Sequence, residues 1–274
     1  TETVSVDGVR LRIARLDGPA PTCFVLLHGY PDTLHVFEPL ARELARAGPV
    51  LAFDWPGQGQ SAPAPSCDSP DGRAAFLLRV IEVLAAGRRA VVVAHDMGVL
   101  PALALSTRPR SPLAGVVAMN ALLVPDAPVS PEIRLLRVGR AYRLALRLGW
   151  RAALARCFAT FVPEPRVLPD VLRDDVRVAF ARREVRTQTI RACERYDDAL
   201  PAWRTFAAGA RVPILLLWGE AERHFPGAHA RRFAAACPRA TVDVVEGGHH
   251  WMAWHAAPIV AARILGWWRP SVSP

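Results

Sequence analysis

The sequence predicts an α/β protein: a mostly parallel, doubly wound sheet of eight strands, with a helical segment inserted after the sixth. Three observations carry that prediction. Short β-branched apolar runs alternate with stretches of helical periodicity, the pattern of parallel strands joined by right-handed crossovers. The run Val91-Val92-Val93-Ala94 breaks off at His95-Asp96-Met97-Gly98 and passes directly into a helix-like Val99–Leu105, so a buried strand turns sharply into a helix. Between about Leu122 and Phe206 the strand-like runs stop and arginine-rich helical stretches replace them.

Taken in order, Val4 and Val6 alternate with polar residues, as do Val9, Leu11 and Ile13, and Asp7-Gly8 lies between the two sets. That is a hairpin with an Asp-Gly turn. Thr22–Leu27 is a continuous apolar run suited to a buried strand and leads into His28-Gly29-Tyr30-Pro31. A helix through Leu40 and Leu44 precedes the short strand Val50–Phe53, which ends in Asp54-Trp55-Pro56-Gly57-Gln58-Gly59-Gln60-Ser61. Pro63–Asp71 is loop-like, and Ala74–Ala86 has helical periodicity that stops at Gly87. Leu113–Met119 is a further buried strand, ending at Asn120. Strand and helix resume at Pro213–Trp218, and Thr241–Val245 is the last strand, followed by Gly247-Gly248-His249-His250 and a closing helix to Trp268. The predicted division is a core of residues 1–121 and 207–274, with 122–206 as a helical cap.

Composition removes several function classes. With 274 residues, 51% of them hydrophobic, the chain is long enough for one large core carrying an insertion. The net charge is +9 and every Lys-or-Arg position is arginine. Without lysine there is no Schiff-base or pyridoxal-phosphate chemistry and no Walker-type phosphate loop. The arginines are dispersed at helical spacing, as in Arg134-Leu135-Leu136-Arg137-Val138-Gly139-Arg140, which reads as solvated helix faces; no nucleic-acid partner is expected. Five scattered cysteines, never in a C-x-x-C pair, argue against a disulfide framework and a zinc site, and no metal or cofactor is expected. No signal peptide or membrane-length apolar run is present, so the expected location is the cytoplasm, with no membrane partner.

The strand–turn–helix at Val91–Gly98 has the geometry of a nucleophile elbow, with Asp96 in the nucleophile slot and Ala94 where a glycine is usual. H-G-Y-P, D-W-P-G-Q-G-Q-S, A-H-D-M-G and G-G-H-H stand in the order and spacing of the α/β-hydrolase fold, which the chain resembles from about Thr22 to Pro258. An aspartate at the elbow, preceded by histidine, is similar to the epoxide hydrolase and haloalkane dehalogenase branch. The chemistry agrees: a carboxylate can displace a leaving group at saturated carbon and form an alkyl ester, which histidine-activated water then hydrolyses.

The resemblance assigns the remaining parts. Backbone N–H groups of Tyr30 and Met97 would form the oxyanion hole. The base follows the last strand and would be His249, directly after Gly248, with His250 as the alternative; the acid would be Glu222 in Trp218-Gly219-Glu220-Ala221-Glu222, with Glu220 as the alternative. His28, His95 and Pro31 match scaffold positions.

Epoxide and halide differ in the leaving group. An opening epoxide needs a proton donor, and the branch uses paired cap tyrosines; of three tyrosines here, Tyr142 and Tyr196 fall in the cap. A halide needs N–H donors, typically a tryptophan after the nucleophile, where this chain has Met97, which cannot donate. The expected function is cofactor-free hydrolysis of an epoxide on a small or medium hydrophobic substrate. Haloalkane dehalogenation is the runner-up, and a non-hydrolytic, ligand-binding or cyclising member of the fold is the alternative of another class. A homodimer is possible, with Trp267-Trp268 either a dimer surface or, by preference, buried against the sheet.

Overall fold

The computed structural model describes residues 1–137 and 139–268, apart from the side chains of 135, 136 and 139–142. The N-terminal hairpin pairs β1 (Glu2–Val6) with β2 (Val9–Leu16), closed by Asp7 and Gly8 at φ 47° and 78°. These are the positive values that a two-residue hairpin turn of this hand requires. The chain continues through β3 (Cys23–Leu27), α1 (Glu38–Leu44), β4 (Val50–Phe53), α2 (Pro70–Leu84), β5 (Ala90–His95), α3 (Val99–Ser106) and β6 (Leu113–Met119). Among the described residues, six α-helices follow before the next strand: α4 (Pro131–Leu136), α5 (Gly139–Leu148), α6 (Trp150–Phe161), α7 (Asp170–Ala181), α8 (Arg183–Ala199) and α9 (Trp203–Gly209). The chain then returns through β7 (Ile214–Gly219), α10 (Ala228–Ala236), β8 (Ala240–Val245), α11 (Met252–His255) and α12 (Ala257–Trp267).

The eight strands form one sheet in the order β1-β2-β4-β3-β5-β6-β7-β8. The β1–β2 and β2–β4 pairs are antiparallel and all others parallel. Strands β3, β5, β6 and β7 are buried along their whole length, which is why they read as unbroken apolar runs rather than alternating ones. In such a sheet the carboxyl ends of the parallel strands line one edge, where ligands bind. His95 ends β5, and His28, Asn120 and Glu222 follow the ends of β3, β6 and β7.

Helix α7 is tied to the sheet by buried charge. Arg12 on β2 donates through Nε to Asp54 (2.6 Å) and through both terminal nitrogens to Asp175 of α7 (2.6 and 2.7 Å). Burial raises the Asp175 carboxyl, but hydrogen bonds from Arg12 and Thr33 outweigh it and hold the group at about 2. Trp267 and Trp268 are half-buried, with Trp267 against Gly115 of β6. Among the described residues, no helix is long and apolar enough to cross a membrane.

Candidate active site

Asp96 stands at the turn from β5 into α3 with φ 47°, a left-handed backbone forced on a non-glycine residue by the elbow. Its carboxylate is buried, and Oδ2 accepts the Tyr30 N–H at 2.8 Å. The approach of the H-G-Y-P loop is so close that a Cβ on Gly29 would lie 2.4 Å from both Cβ and Oδ2 of Asp96. Glycine is needed there for space, not for its backbone freedom. Ala94, by contrast, pairs between Leu27 of β3 and Ala118 of β6 in the fully buried centre of the sheet, where its methyl fits.

The histidine favoured by its preceding glycine, His249, does not meet Glu222. His249 is half-buried, its N–H donates to His255 Nε2 (3.1 Å) and its ring faces the His255 ring. His250 is the histidine that meets the acid: its Nδ1 lies 2.8 Å from Glu222 Oε2, and its ring lines the cavity that Asp96 also lines. The preceding glycine misled because of the turn's register. Gly248 packs against Gly219, where a Cβ on Gly219 would sit 2.3 Å from the Gly248 carbonyl oxygen, and the side chain two residues on from this contact reaches Glu222. Glu220 is exposed and its Oε2 accepts the Gly247 N–H, which ties the β7 and β8 turns together on the surface.

Electrostatics couple the three groups. Burial alone would lower the His250 pKa; Glu222 outweighs it by charge and hydrogen bond, with Asp96 and Asp32 adding to the effect, and the imidazole is raised to about 9. Burial would likewise raise Glu222, but His250 and the His224 N–H on Oε1 (2.6 Å) bring it to about 2; the Phe225 N–H also meets Oε1 (3.1 Å). Asp96 is pushed upward by burial, against the pull of His250, His95 and the Tyr30 N–H. Charged His250 between two carboxylates is therefore the form these surroundings favour near neutral pH.

Several residues that the motifs do not assign hold this arrangement in place. Asn120 is wholly buried at the end of β6; its Nδ2 donates to the carbonyls of His249 and His250 (3.0 and 3.1 Å), and its Oδ1 accepts the Gly219 N–H (2.9 Å). One amide thus ties the His249–His250 loop to β7, the strand that leads into Glu222. His224 joins the acid loop to the helical segment: Nε2 pairs with Thr160 Oγ1 (3.1 Å), Nδ1 with Ser130 Oγ (3.0 Å), and its carbonyl accepts the Ser130 N–H. Burial and the neighbouring His250 charge lower its pKa to about 4, so it is neutral there. The scaffold histidines have partners of their own. His28 Nδ1 pairs with the Gly29 carbonyl, which leaves Nε2 to accept the Trp55 N–H. His95 Nδ1 pairs with Asp32 Oδ2 (3.0 Å), whose Oδ1 accepts Trp251 Nε1.

A cavity of about 250 Å³ opens above Asp96 and His250, walled by Met97, Leu122, Phe161, Phe225 and Tyr196 among others. Tyr196 on α8 is buried and its hydroxyl donates to the Leu122 carbonyl at 2.9 Å. Burial and the nearby Asp96 charge push its pKa well up, so it is protonated. The side chain of Tyr142 lies outside the described residues. Trp203 packs on Phe233 and Trp150 is stacked by the guanidinium groups of Arg151 and Arg186; neither is among the described residues that line the cavity. Among the described residues, no group of three or more His, Cys, Asp or Glu side chains is placed to hold a metal ion.

Residues 24–262 match the Alpha/beta hydrolase family. A "Dihydrolipoyllysine-residue acetyltransferase component of acetoin cleaving system" from Cupriavidus necator is 29% identical over 262 residues, which is 89% of this chain and 63% of that protein. "Epoxide hydrolase A" from Mycobacterium tuberculosis is 30% identical over 131 residues, 47% of this chain and 40% of that protein. The chain thus spans less than two thirds of the length of either relative. The solved structure of a haloalkane dehalogenase from Bradyrhizobium elkani superposes with a TM-score of 0.80 at 20% identity, covering 97% of this chain and 96% of that one.

Proposed function

The chain belongs to the alpha/beta hydrolase family, and on that footing we propose that it opens an epoxide on a small apolar substrate through an alkyl ester at Asp96. The observation that carries the reading is a buried carboxylate, held by the Tyr30 N–H, on the floor of an apolar cavity shared with His250 and Tyr196. The likeness over part of the chain to an epoxide hydrolase supports it.

In the first step an Asp96 oxygen attacks one epoxide carbon, the carbon–oxygen bond of the ring breaks, and the alkoxide takes a proton from a tyrosine. Tyr196 serves by turning its hydroxyl from the Leu122 carbonyl to the substrate; Tyr142 is the second donor that the resemblance assigns. In the second step water attacks Cγ of Asp96 while His250 Nε2 accepts its proton, and the oxyanion is held by the N–H groups of Tyr30 and Met97. Collapse expels the diol's alkoxide, which takes the proton held by His250; the acid proton left on Asp96 passes to the tyrosinate, restoring the Asp96 carboxylate and the tyrosine.

Esterification removes the Asp96 charge, one of the causes that hold His250 near 9, so the imidazole becomes easier to deprotonate when a base is needed. Dehalogenation would begin with the same ester but needs N–H donors for the halide, and Met97 supplies none from its side chain.

The test is diol formation from a panel of epoxides beside halide release from matched haloalkanes. Diol without halide, lost in Asp96→Ala and in the Tyr142→Phe, Tyr196→Phe double variant, is the expected result. Halide without diol would overturn the proposal, and unchanged function in Asp96→Ala would favour a non-hydrolytic, ligand-binding role.

A further inference from the structure

We infer that the site selects compact, uncharged substrates of about ten non-hydrogen atoms, aryl or branched-alkyl epoxides in preference to long-chain or carboxylate-bearing ones; this rests on the epoxide reading above. The size follows from volume. A dry apolar cavity of about 150 Å³ accommodates benzene, with its six non-hydrogen atoms, or about 25 Å³ for each. The cavity here is about 250 Å³. On that scale it holds about ten non-hydrogen atoms, enough for a phenyl ring, an epoxide and one small substituent.

The neutral preference follows from the outer wall. The lining residues Met97, Leu122, Phe161 and Phe225 are buried, whereas Arg137 and Arg156 are exposed and Glu132 and Asp197 half-buried, which places the charged residues toward solvent. These charges are already matched across helices. Glu132 of α4 pairs with Arg156 of α6, and Arg137, which follows α4, pairs with Asp197 of α8 at 3.1 Å between Nε and Oδ1. A carboxylate on the substrate would meet arginines that already have acidic partners, with Glu132, Asp197 and Asp96 facing it as like charges. A long alkyl chain would have to run outward past the same charged side chains. The inner surface supplies aromatic contact instead: the Phe161 ring lies 4.4 Å from that of His250 and the Phe225 ring 5.8 Å from it. A flat substituent can pack beside those two phenylalanines, with the reacting carbon toward Asp96.

The experiment separates size from chemistry by measuring both. Asp96→Asn keeps the shape of the nucleophile and cannot form the ester; it is titrated with phenylethanediol, with diols of increasing chain length and with a carboxylate-bearing analogue. In parallel, the unmodified chain is given the corresponding epoxides. Affinity and kcat/KM should peak at about ten non-hydrogen atoms and fall by about tenfold or more for long-chain and carboxylate members. Ile133→Ala and Arg156→Ala, both in the outer wall, should restore long-chain turnover. Size-ordered binding to Asp96→Asn without turnover of any epoxide would sink the epoxide reading and leave the size limit standing. Long-chain or carboxylate epoxides opened faster than compact ones would overturn the size and charge limits and leave the chemistry standing.

Discussion

Replacing Glu222 with Gln reverses one hydrogen bond while leaving the side chain's shape intact. Oε1 can still accept the N–H groups of His224 and Phe225, so the acid loop keeps its anchor. At the other end, a carboxylate oxygen 2.8 Å from His250 Nδ1 becomes an amide that donates to it. The imidazole must then carry its proton on Nε2, the nitrogen that has to take one from water. Burial, the largest influence on His250, is no longer outweighed by Glu222, so its pKa drops from about 9. The equivalent acid-to-amide change in a Ser-His-Asp triad costs about 10⁴ in kcat, which is about 5.5 kcal/mol of barrier. The cost falls on ester hydrolysis, since displacement by Asp96 uses no base. Rapid mixing with substrate followed by intact-protein mass measurement should show the variant carrying one substrate mass, decaying about 10⁴ times more slowly than turnover of the unmodified chain. His250→Gln should behave alike, whereas His249→Gln should turn over within about twofold of the unmodified rate, because its ring lies beside His255 and away from the acid. Unimpaired turnover in Glu222→Gln, or lost turnover without an adduct, would contradict a role for Glu222 in ester hydrolysis.

Other expectations follow from the same geometry. Gly29→Ala drives a methyl to 2.4 Å from the Asp96 carboxylate, and kcat should fall by about 10² through nucleophile displacement, with far-ultraviolet circular dichroism unchanged. Asn120→Ala removes both donors to the His249 and His250 carbonyls and strands the Gly219 N–H. It should lower kcat by about 10–100-fold at similar KM and lower stability by about 1–3 kcal/mol. Asp175→Ala leaves Arg12 only Asp54 in a buried site and should cost about 3 kcal/mol, or roughly 6–12 °C of melting temperature by calorimetry. Because Asp175 sits at about 2, below its unfolded value, its contribution is present above about pH 4 and lost as pH falls toward 2. His250 has the opposite sign: raised to about 9, it contributes fully below about pH 6.5 and the contribution fades as pH rises through 9, a loss that Glu222→Gln should flatten.

What could be read in the sequence was whatever is local or periodic. The hairpin followed from alternation around Asp7-Gly8, and the buried strands followed from runs such as Val91–Ala94. The elbow and the loops after the strands were legible because sharp turns demand particular residues. The choice between His249 and His250 was not, since it depends on how a glycine contact between two neighbouring loops sets the register. Asn120 is legible as the residue that ends the sixth strand, but not as the side chain that joins two loops. His224, likewise, ties three segments that pattern cannot bring together. Arg12 and Asp175 are 163 positions apart, and nothing local pairs an arginine on the second strand with a helix of the insertion. Tyr196 stands out in the sequence as one of two cap tyrosines; that its hydroxyl rests on the Leu122 carbonyl is a fact of packing.

The covalent ester at Asp96 is the centre of the account, and turnover in heavy-oxygen water tests it most directly. If water attacks Cγ of the ester, the diol formed in the first turnover carries an unlabelled oxygen from the enzyme, and repeated cycles place heavy oxygen in the peptide that contains Asp96. Label in the first-turnover diol, with none in that peptide after many turnovers, would mean that water reaches the substrate directly and that Asp96 is not the nucleophile.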